Sequence, residues 1–472
     1  MRILWLKSDL LLPLDKGGKL RTWHLMRHLA QRHAITYLAF KEPGQPAADV
    51  EGMREVAARV ETVTRSEPAK GTFRFYADAA MHLVDPFPYA VGKYRSRAFT
   101  RRLSALLQSQ SFDLIVCDFL FPAVNLPKRL PCPAVIFTHN VESEIWRRHA
   151  ETKSGAIAKV LYGAQYARML RYEGRTLGRF DGVLAVSDAD RQTFAALYPG
   201  AIRQPVHVVP TGVDTEYFAP SPIRNPQSAI HNTLIFTGSM DWLPNEDAMQ
   251  YFCRDILPLI RTQEPDVQLS IVGRAPTPAV KRLAEEHGVQ VTGRVDDVRP
   301  YMKEAAVYVV PLRIGGGTRL KIFEAMSMGK AVVSTTVGAE GLPVTDGEHV
   351  MLADEPRTFA GAVVGLLRDA DRRAQLEAAA RALVVQQYDW SAVAGALEGA
   401  LINIADRGVR SADSRTADSR TAASRTAGSR TADSRTADSR TADSRTADSP
   451  TADWQPNLKS EIINLKSQGD IL

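Results

Sequence analysis

The sequence predicts an α/β protein of two doubly wound, Rossmann-like domains, and three observations predict it. Short apolar runs alternate with helical segments through residues 1–215. A proline-rich polar stretch, APSPIRNPQSAIHN at residues 219–232, interrupts that pattern, and the alternation restarts at Thr233. Apolar strands placed between helices are the mark of a parallel sheet buried on both faces. At 472 residues the chain also exceeds what one core ordinarily fills. The division that follows is a first domain over 1–218, a linker over 219–232 and a second domain over 233–388. A last helix over 389–406 and a low-complexity tail over 407–472 complete it.

Ile3, Leu4, Trp5 and Leu6 read as a first buried strand. The N-terminus resembles a signal peptide only superficially. Its apolar runs are broken by Lys7, Ser8 and Asp9, and no small-residue cleavage site follows. The loop PLDKGGKLR leads into an amphipathic helix near 18–32, then a strand at 34–40. Further strands are expected at 114–117, 134–137 and 182–186. In the second half the candidates are 233–236, 268–272, 289–292, 306–310, 331–334 and 350–352. Residues 390–405 read as a final apolar-rich helix. From Ser414 to Asp453 the unit SRTAD recurs, with variants at Ala423, Gly428 and Pro450. Its Arg and Asp balance and Ala is its only apolar residue, so it cannot bury a core and is expected to be disordered.

Composition narrows the class. Hydrophobic residues make up 44% and charged residues 24%, as in an ordinary globular protein. The formal net charge of +6 suits phosphate-bearing ligands or an anionic membrane surface. The sparse cysteines, Cys117, Cys132 and Cys253, fit a reducing compartment and read as small buried hydrophobes. No apolar run approaches a membrane span, so the expected place of work is the cytoplasm or the inner face of its membrane.

Two segments carry candidate chemistry. After the strand ending at Val310 comes Pro311-Leu312-Arg313-Ile314-Gly315-Gly316-Gly317-Thr318-Arg319-Leu320-Lys321, and a helix is expected to open near Thr318. Gly315, Gly316 and Gly317 let backbone N–H groups approach a ligand closely. The helix N-terminus, Arg319 and Lys321 add positive charge, which together suits a diphosphate. Glu324 falls about two turns into that helix, where its carboxylate could accept both hydroxyls of a ribose. The alternative is a glycine-rich turn with surface charges. The second segment, Thr138-His139-Asn140, directly follows the strand 134–137, and carboxyl ends of parallel strands are where open α/β sheets place chemistry.

The segments Lys330-Ala331-Val332-Val333-Ser334-Thr335 and Gly338-Ala339-Glu340-Gly341 extend the glycine loop into a pattern that resembles glycosyltransferase family 4. Four more stretches agree in order: 208–214, 236–239, 272–276 and 291–298. The resemblance covers roughly residues 1–405. It implies retaining enzymes of the GT-B fold, with two Rossmann-like domains facing a central cleft. It implies donor contacts at Gly17, Gly18, Gly238, Arg274, Gly315, Gly316, Gly317, Thr318, Arg319, Lys321 and Glu324. It implies an acceptor side with Arg21 and Asn140, and it makes His139 and Glu324 the catalytic candidates, His139 facing the transferred sugar. Glu142 and Glu144 are nearby alternatives to His139. From the residues alone, Gly17-Gly18 is equally a plain helix-entry turn.

The chain departs from the family twice. The family usually carries two glutamates with seven residues between them; Glu324 matches the second, and Gly316 stands where the first would be. The family often has an Arg and a Lys after the glycine matching Gly238, where this chain has Ser239-Met240-Asp241-Trp242-Leu243-Pro244-Asn245. Arg319 and Lys321 are the expected replacements.

The expected activity is transfer from a nucleotide-diphosphate sugar to a saccharide or lipid-linked acceptor with retention, in exopolysaccharide or cell-envelope glycan assembly. The nucleotide sugar is a co-substrate; no cofactor and no metal are expected. A non-catalytic sugar-nucleotide binder and a sugar-nucleotide 2-epimerase on the same fold are the alternatives. A dinucleotide oxidoreductase lacks its GxGxxG in residues 1–40, and no nucleic-acid recognition motif is present. Lys93, Arg95, Arg97, Arg101 and Arg102, with Tyr94, Phe99, Leu103, Leu106 and Leu107 between them, read either as a basic amphipathic helix on anionic lipid or as a solvated helix face.

Overall fold

The computed structural model describes residues 1–14, 16–67, 72–73, 85–152, 155–220, 232–314 and 320–407. The repeat tail, most of the 219–232 linker and residues 315–319 lie outside the described residues.

The described residues form two sheets. Seven strands make up the first: Arg2–Lys7 (β1), Ala34–Lys41 (β2), Arg59–Thr64 (β3), Leu114–Asp118 (β4), Ala134–Phe137 (β5), Gly182–Ala185 (β6) and Val206–Val208 (β7). Their order is β3-β2-β1-β4-β5-β6-β7, and every pairing is parallel. Six strands form the second: Thr233–Thr237 (β8), Gln268–Val272 (β9), Gln290–Val291 (β10), Val307–Val310 (β11), Ala331–Ser334 (β12) and Met351–Leu352 (β13). Their order is β10-β9-β8-β11-β12-β13, again parallel. Two doubly wound sheets make the GT-B architecture, with the domains facing a central cleft.

Side chains alternate across a strand, and both faces of the first sheet are buried. On β1, Ile3 and Trp5 join one core while Leu4 and Leu6 join the other. On β4, Leu114 and Val116 join Trp5, while Ile115 and Cys117 face the opposite side. The face with Trp5 is covered by the Gly17–Leu29 helix, through Trp23, Leu25, Met26 and Leu29.

That face also receives the last helix, over residues 390–407, through Trp390, Val393, Leu397, Leu401 and Ile404. The chain therefore returns from the second domain to finish the core of the first. Trp390 stacks on His24 at 4.9 Å, and His33 Nε2 sits 2.7 Å from Glu398 Oε1. At the crossover, Val213 bridges to Asp389, and Thr215 Oγ1 donates to Asp389 Oδ2 at 2.6 Å.

The basic segment resolves toward the core. In the Arg97–Ser109 helix, capped by Ser96, Phe99, Leu103 and Leu106 are buried in the first domain. Arg102 Nε donates to Glu61 at 2.9 Å, and Arg95 pairs with Asp85 at 3.2 Å. The apolar face that would enter lipid is used for packing, which leaves charge alone for any membrane contact. Among the described residues no helix is long and apolar enough to cross a membrane.

Candidate active site

In an open parallel sheet, ligands sit at the carboxyl ends of the two strands between which the order reverses. Here those pairs are β1 and β4 in the first sheet, and β8 and β11 in the second. The first pair ends in Lys7 and Asp118, the second in Thr237 and Val310.

Period-two alternation continues the Trp5 row into Lys7, the Val116 row into Asp118, and the Phe137 row toward His139. All three meet. Lys7 Nζ lies 3.0 Å from Asp118 Oδ2, and both side chains are essentially inaccessible. The same Oδ2 accepts from Trp5 Nε1 at 3.0 Å and Thr22 Oγ1 at 2.7 Å. Asp118 Oδ1 is 2.7 Å from His139 Nε2. The His139 ring stacks on Phe119 at 3.9 Å, and Phe119 adopts a φ of 77° to reach it. A Cβ on Gly18 would stand 3.6 Å from His139 Nδ1. Gly18 and His139 are thus brought together, from segments that the sequence analysis singled out separately.

Burial raises the Asp118 carboxyl, but Lys7 and then His139 outweigh it and hold the group far below the ordinary carboxylate range. Burial lowers the His139 imidazole to about 4; Asp118 pulls upward, while Lys7 and Arg21 push it further down. Arg21 is buried, with its guanidinium 4.2 Å over the Phe137 ring and Nη2 donating to Val209 O. Among the described residues its Nε meets no hydrogen-bond partner, and burial lowers its pKa to about 9.

Asn140 bonds the Glu142 carboxyl, which burial and Glu173 raise to about 8. Glu173 in turn accepts the backbone N–H groups of Glu142 and Ser143 at 2.9 and 3.0 Å, and Tyr198 Oη at 2.6 Å. This carboxylate satisfies the opening of the Glu142–Thr152 helix. Glu144 forms an ion pair with Arg147 at 2.7 Å, one turn along that helix.

In the second domain, Gly238 follows β8, and a Cβ there would stand 2.9 Å from Lys321 Nζ and 2.7 Å from Asn245 Nδ2. Lys321 donates to Asn245 Oδ1 at 2.9 Å and lies 4.0 Å over the Phe236 ring. So Lys321, on the Leu320–Ser327 helix, brings a cation to the switch point where the family's usual cations are missing. Arg274 Nε donates to Ser239 Oγ at 2.9 Å, which places it on the adjoining loop. Glu324 is half-buried; burial raises its carboxyl to about 7, with Lys321 pulling down. Gly315, Gly316, Gly317, Thr318 and Arg319, the loop that the sequence singles out for the diphosphate, lie outside the described residues.

Gly273 packs directly on Gly238, and a Cβ there would run into Gly238 O. Gly273→Ala should therefore push the Gly238 loop off Lys321. The expected cost is about 1–3 kcal/mol in thermal or urea unfolding, as for other overpacked sites. Wild-type stability in that variant would show that the two loops are not in contact.

Sequence reasoning missed Lys7, Asp118, Asn245 and the Arg21 burial. The signal for the first two was present: charged residues at the carboxyl ends of strands whose alternation points them at one face. Among the described residues, no group of three or more His, Cys, Asp or Glu side chains could hold a metal ion.

Two family models match the chain: Glycosyltransferase Family 4 over residues 16–217, and Glycosyl transferases group 1 over residues 231–369. A phosphatidyl-myo-inositol mannosyltransferase of Mycolicibacterium smegmatis is 29% identical over 246 residues, which is 51% of this chain and 60% of that protein. Its counterpart in Mycobacterium leprae is 32% identical over 235 residues, 48% of this chain and 60% of that protein. The chain thus spans 60% of the length of these curated relatives. Among solved structures, HepE from Anabaena in complex with UDP superposes with a TM-score of 0.59 at 18% identity, covering 85% of this chain and 100% of that one. At that identity the likeness concerns the fold.

Proposed function

Because the chain belongs to the group 1 glycosyltransferases of family 4, we propose that it transfers a sugar from a nucleoside-diphosphate sugar to a saccharide or lipid-linked acceptor, retaining anomeric configuration. The observation that carries this is Lys321 at the second sheet's switch point, bonded to Asn245 beside Gly238. A fixed cation there can neutralise the diphosphate as it leaves, where electrostatic stabilisation counts most. On this reading Gly17, Gly18, Gly238, Arg274, Lys321 and Glu324 hold the donor, together with the loop of Gly315, Gly316, Gly317, Thr318 and Arg319. Arg21 and Asn140 lie on the acceptor side, and His139 and Glu324 are the catalytic candidates. The lipid-linked acceptor class is suggested by the relatives named for phosphatidyl-myo-inositol. The proposed setting is exopolysaccharide or cell-envelope glycan assembly on the inner face of the cytoplasmic membrane, without a metal or other cofactor.

The test is a panel of UDP-, GDP-, ADP- and TDP-sugars, followed by release of the nucleoside diphosphate without acceptor and by thermal shift. Slow release from one donor, unaffected by chelator, supports transfer chemistry. Neither release nor thermal shift with any donor refutes it. Lys321→Ala should weaken binding of the active donor by ~10-fold or more, about 1.4 kcal/mol. Unchanged affinity would remove Lys321 from the diphosphate site.

A further inference from the structure

Lys7 is a fully buried cation that donor binding does not call for. Its ammonium touches Asp118 Oδ2 and Thr22 Oγ1, each at 3.0 Å, and stands 4.6 Å over the Phe119 ring. A buried lysine stays charged where a carboxylate pairs with it, and otherwise tends to lose its proton. Here that carboxylate also holds His139 through its other oxygen.

We infer that Lys7 is a positioning residue: it keeps Asp118 ionised and His139 neutral with the ring proton on Nε2, so that the bare Nδ1 beside Gly18 takes a hydroxyl group of the transferred sugar as its hydrogen-bond donor. The inference rests on the reading that His139 faces that sugar.

An ionised carboxylate only accepts, so the 2.7 Å contact with Asp118 Oδ1 requires Nε2 to carry the proton. The groups around the ring come from every element packed on it. β1 supplies Lys7, β4 supplies Asp118, and the Gly17–Leu29 helix supplies Arg21 and Thr22. Tyr37, on β2, stays a neutral phenol, since burial raises it well above its ordinary value. Two buried cations therefore stand beside Asp118, and Asp190, on the Asp188–Leu197 helix, acts on Arg21. Among the described residues no second carboxylate bonds the His139 ring, so protonating Nδ1 would add a positive charge with no partner of its own. No hydrogen bond from a described residue reaches Nδ1, and the glycine at position 18 leaves room beside it.

Positive charge builds on the sugar ring as a glycosidic bond breaks. A neutral imidazole with its lone pair turned to the sugar tolerates that charge, whereas an imidazolium opposes it. Removing the Lys7 ammonium leaves Asp118 free to pair with a protonated His139, which moves the ring toward the opposing form.

The test reads the ring directly, in the full chain labelled with ¹⁵N-histidine. Two-bond ¹H–¹⁵N spectra, with His139 assigned by its loss in His139→Asn, report protonation and tautomer. In the wild type His139 should be neutral and Nε2-protonated from about pH 8 down to about pH 5.5. In Lys7→Met its titration should rise by about two pH units, and the acid limb of donor hydrolysis should move up with it. Lys7→Arg, which keeps the charge, should match the wild type. A wild-type ring that is cationic at neutral pH or protonated on Nδ1 overturns the inference, as does an unshifted ring in Lys7→Met. Should Lys7→Met fail to fold, Lys7→Gln carries the same expectation. Absence of donor turnover in the wild type would count against the proposed transferase and leave the tautomer result standing.

Discussion

Replacing Asp118 with alanine should destabilise the first domain by about 3–5 kcal/mol, the cost of breaking a buried ion pair from one side. Lys7 and Asp118 are both inaccessible and 3.0 Å apart, so the single substitution strands an ammonium in the core. It also deprives Trp5 Nε1 and His139 Nε2 of their acceptor, while Thr22 Oγ1 keeps the Gly18 carbonyl at 3.0 Å. Removing both charges is a different matter: Lys7→Met with Asp118→Leu replaces the pair by apolar volume and should recover the part of the loss due to the stranded ammonium, while Trp5 Nε1 and His139 Nε2 stay unpaired. Because two domains need not unfold together, the measurement is hydrogen exchange of the β1 and β4 amides across a urea series, with global melting as a check. A loss under about 1 kcal/mol in Asp118→Ala, or a double variant no better than the single, would mean that the pair is solvated.

The pH dependence of the same cluster has a definite sign. The Asp118 pKa is depressed in the fold, so its contribution is present above the ordinary value of about 4 and lost as pH falls below it. His139 is lowered to about 4, so between its ordinary value near 6.5 and that point the unfolded chain binds the extra proton. Stability of this domain should thus fall first as pH drops from about 6.5 to 4, then again below 4. Asp118→Ala should shrink the second step, to which the depressed carboxyls of Asp113 and Glu61 also contribute.

How much of this was legible in the sequence depends on the distance over which each contact forms. The strand alternation is local, and β5 was read over Ala134–Phe137 as it stands in the structure. His139 was found by position alone, since it follows a strand's carboxyl end. Lys7 was read only as a charge interrupting an apolar run, and β4 was ended one residue short of Asp118. Their pairing rests on β1 lying beside β4, across more than a hundred residues that include two intervening strands. Period-two alternation predicts which face each charge takes, but not that the two faces are neighbours. The same limit hid Asn245 against Lys321, and the last helix against Trp5's core. Phe119 could not be foreseen at all, because a bulky residue at positive φ has no local signature.

His139→Ala should lower donor turnover by about 100-fold or more while leaving donor affinity within a few-fold. The split matters. A side chain that only shaped the pocket would raise KM, whereas one that meets the sugar as charge develops lowers kcat. The neighbouring carboxylates set the comparison. Glu144 is committed to Arg147 on the helix surface. Glu142 is buried, raised to about 8 beside Glu173, and held by Asn140, so near neutral pH it is protonated. A protonated acid tied to the Asn140 side chain is suited to holding the 138–140 loop, not to stabilising positive charge on a sugar. Glu142→Gln keeps that hydrogen bond and should leave turnover within a few-fold. If instead Glu142→Gln abolished turnover and His139→Ala preserved it, the chemistry would lie with the buried carboxyl. The Lys7–Asp118–His139 cluster would then be a device of the core, and its placement at the switch point of the first sheet would need another reason.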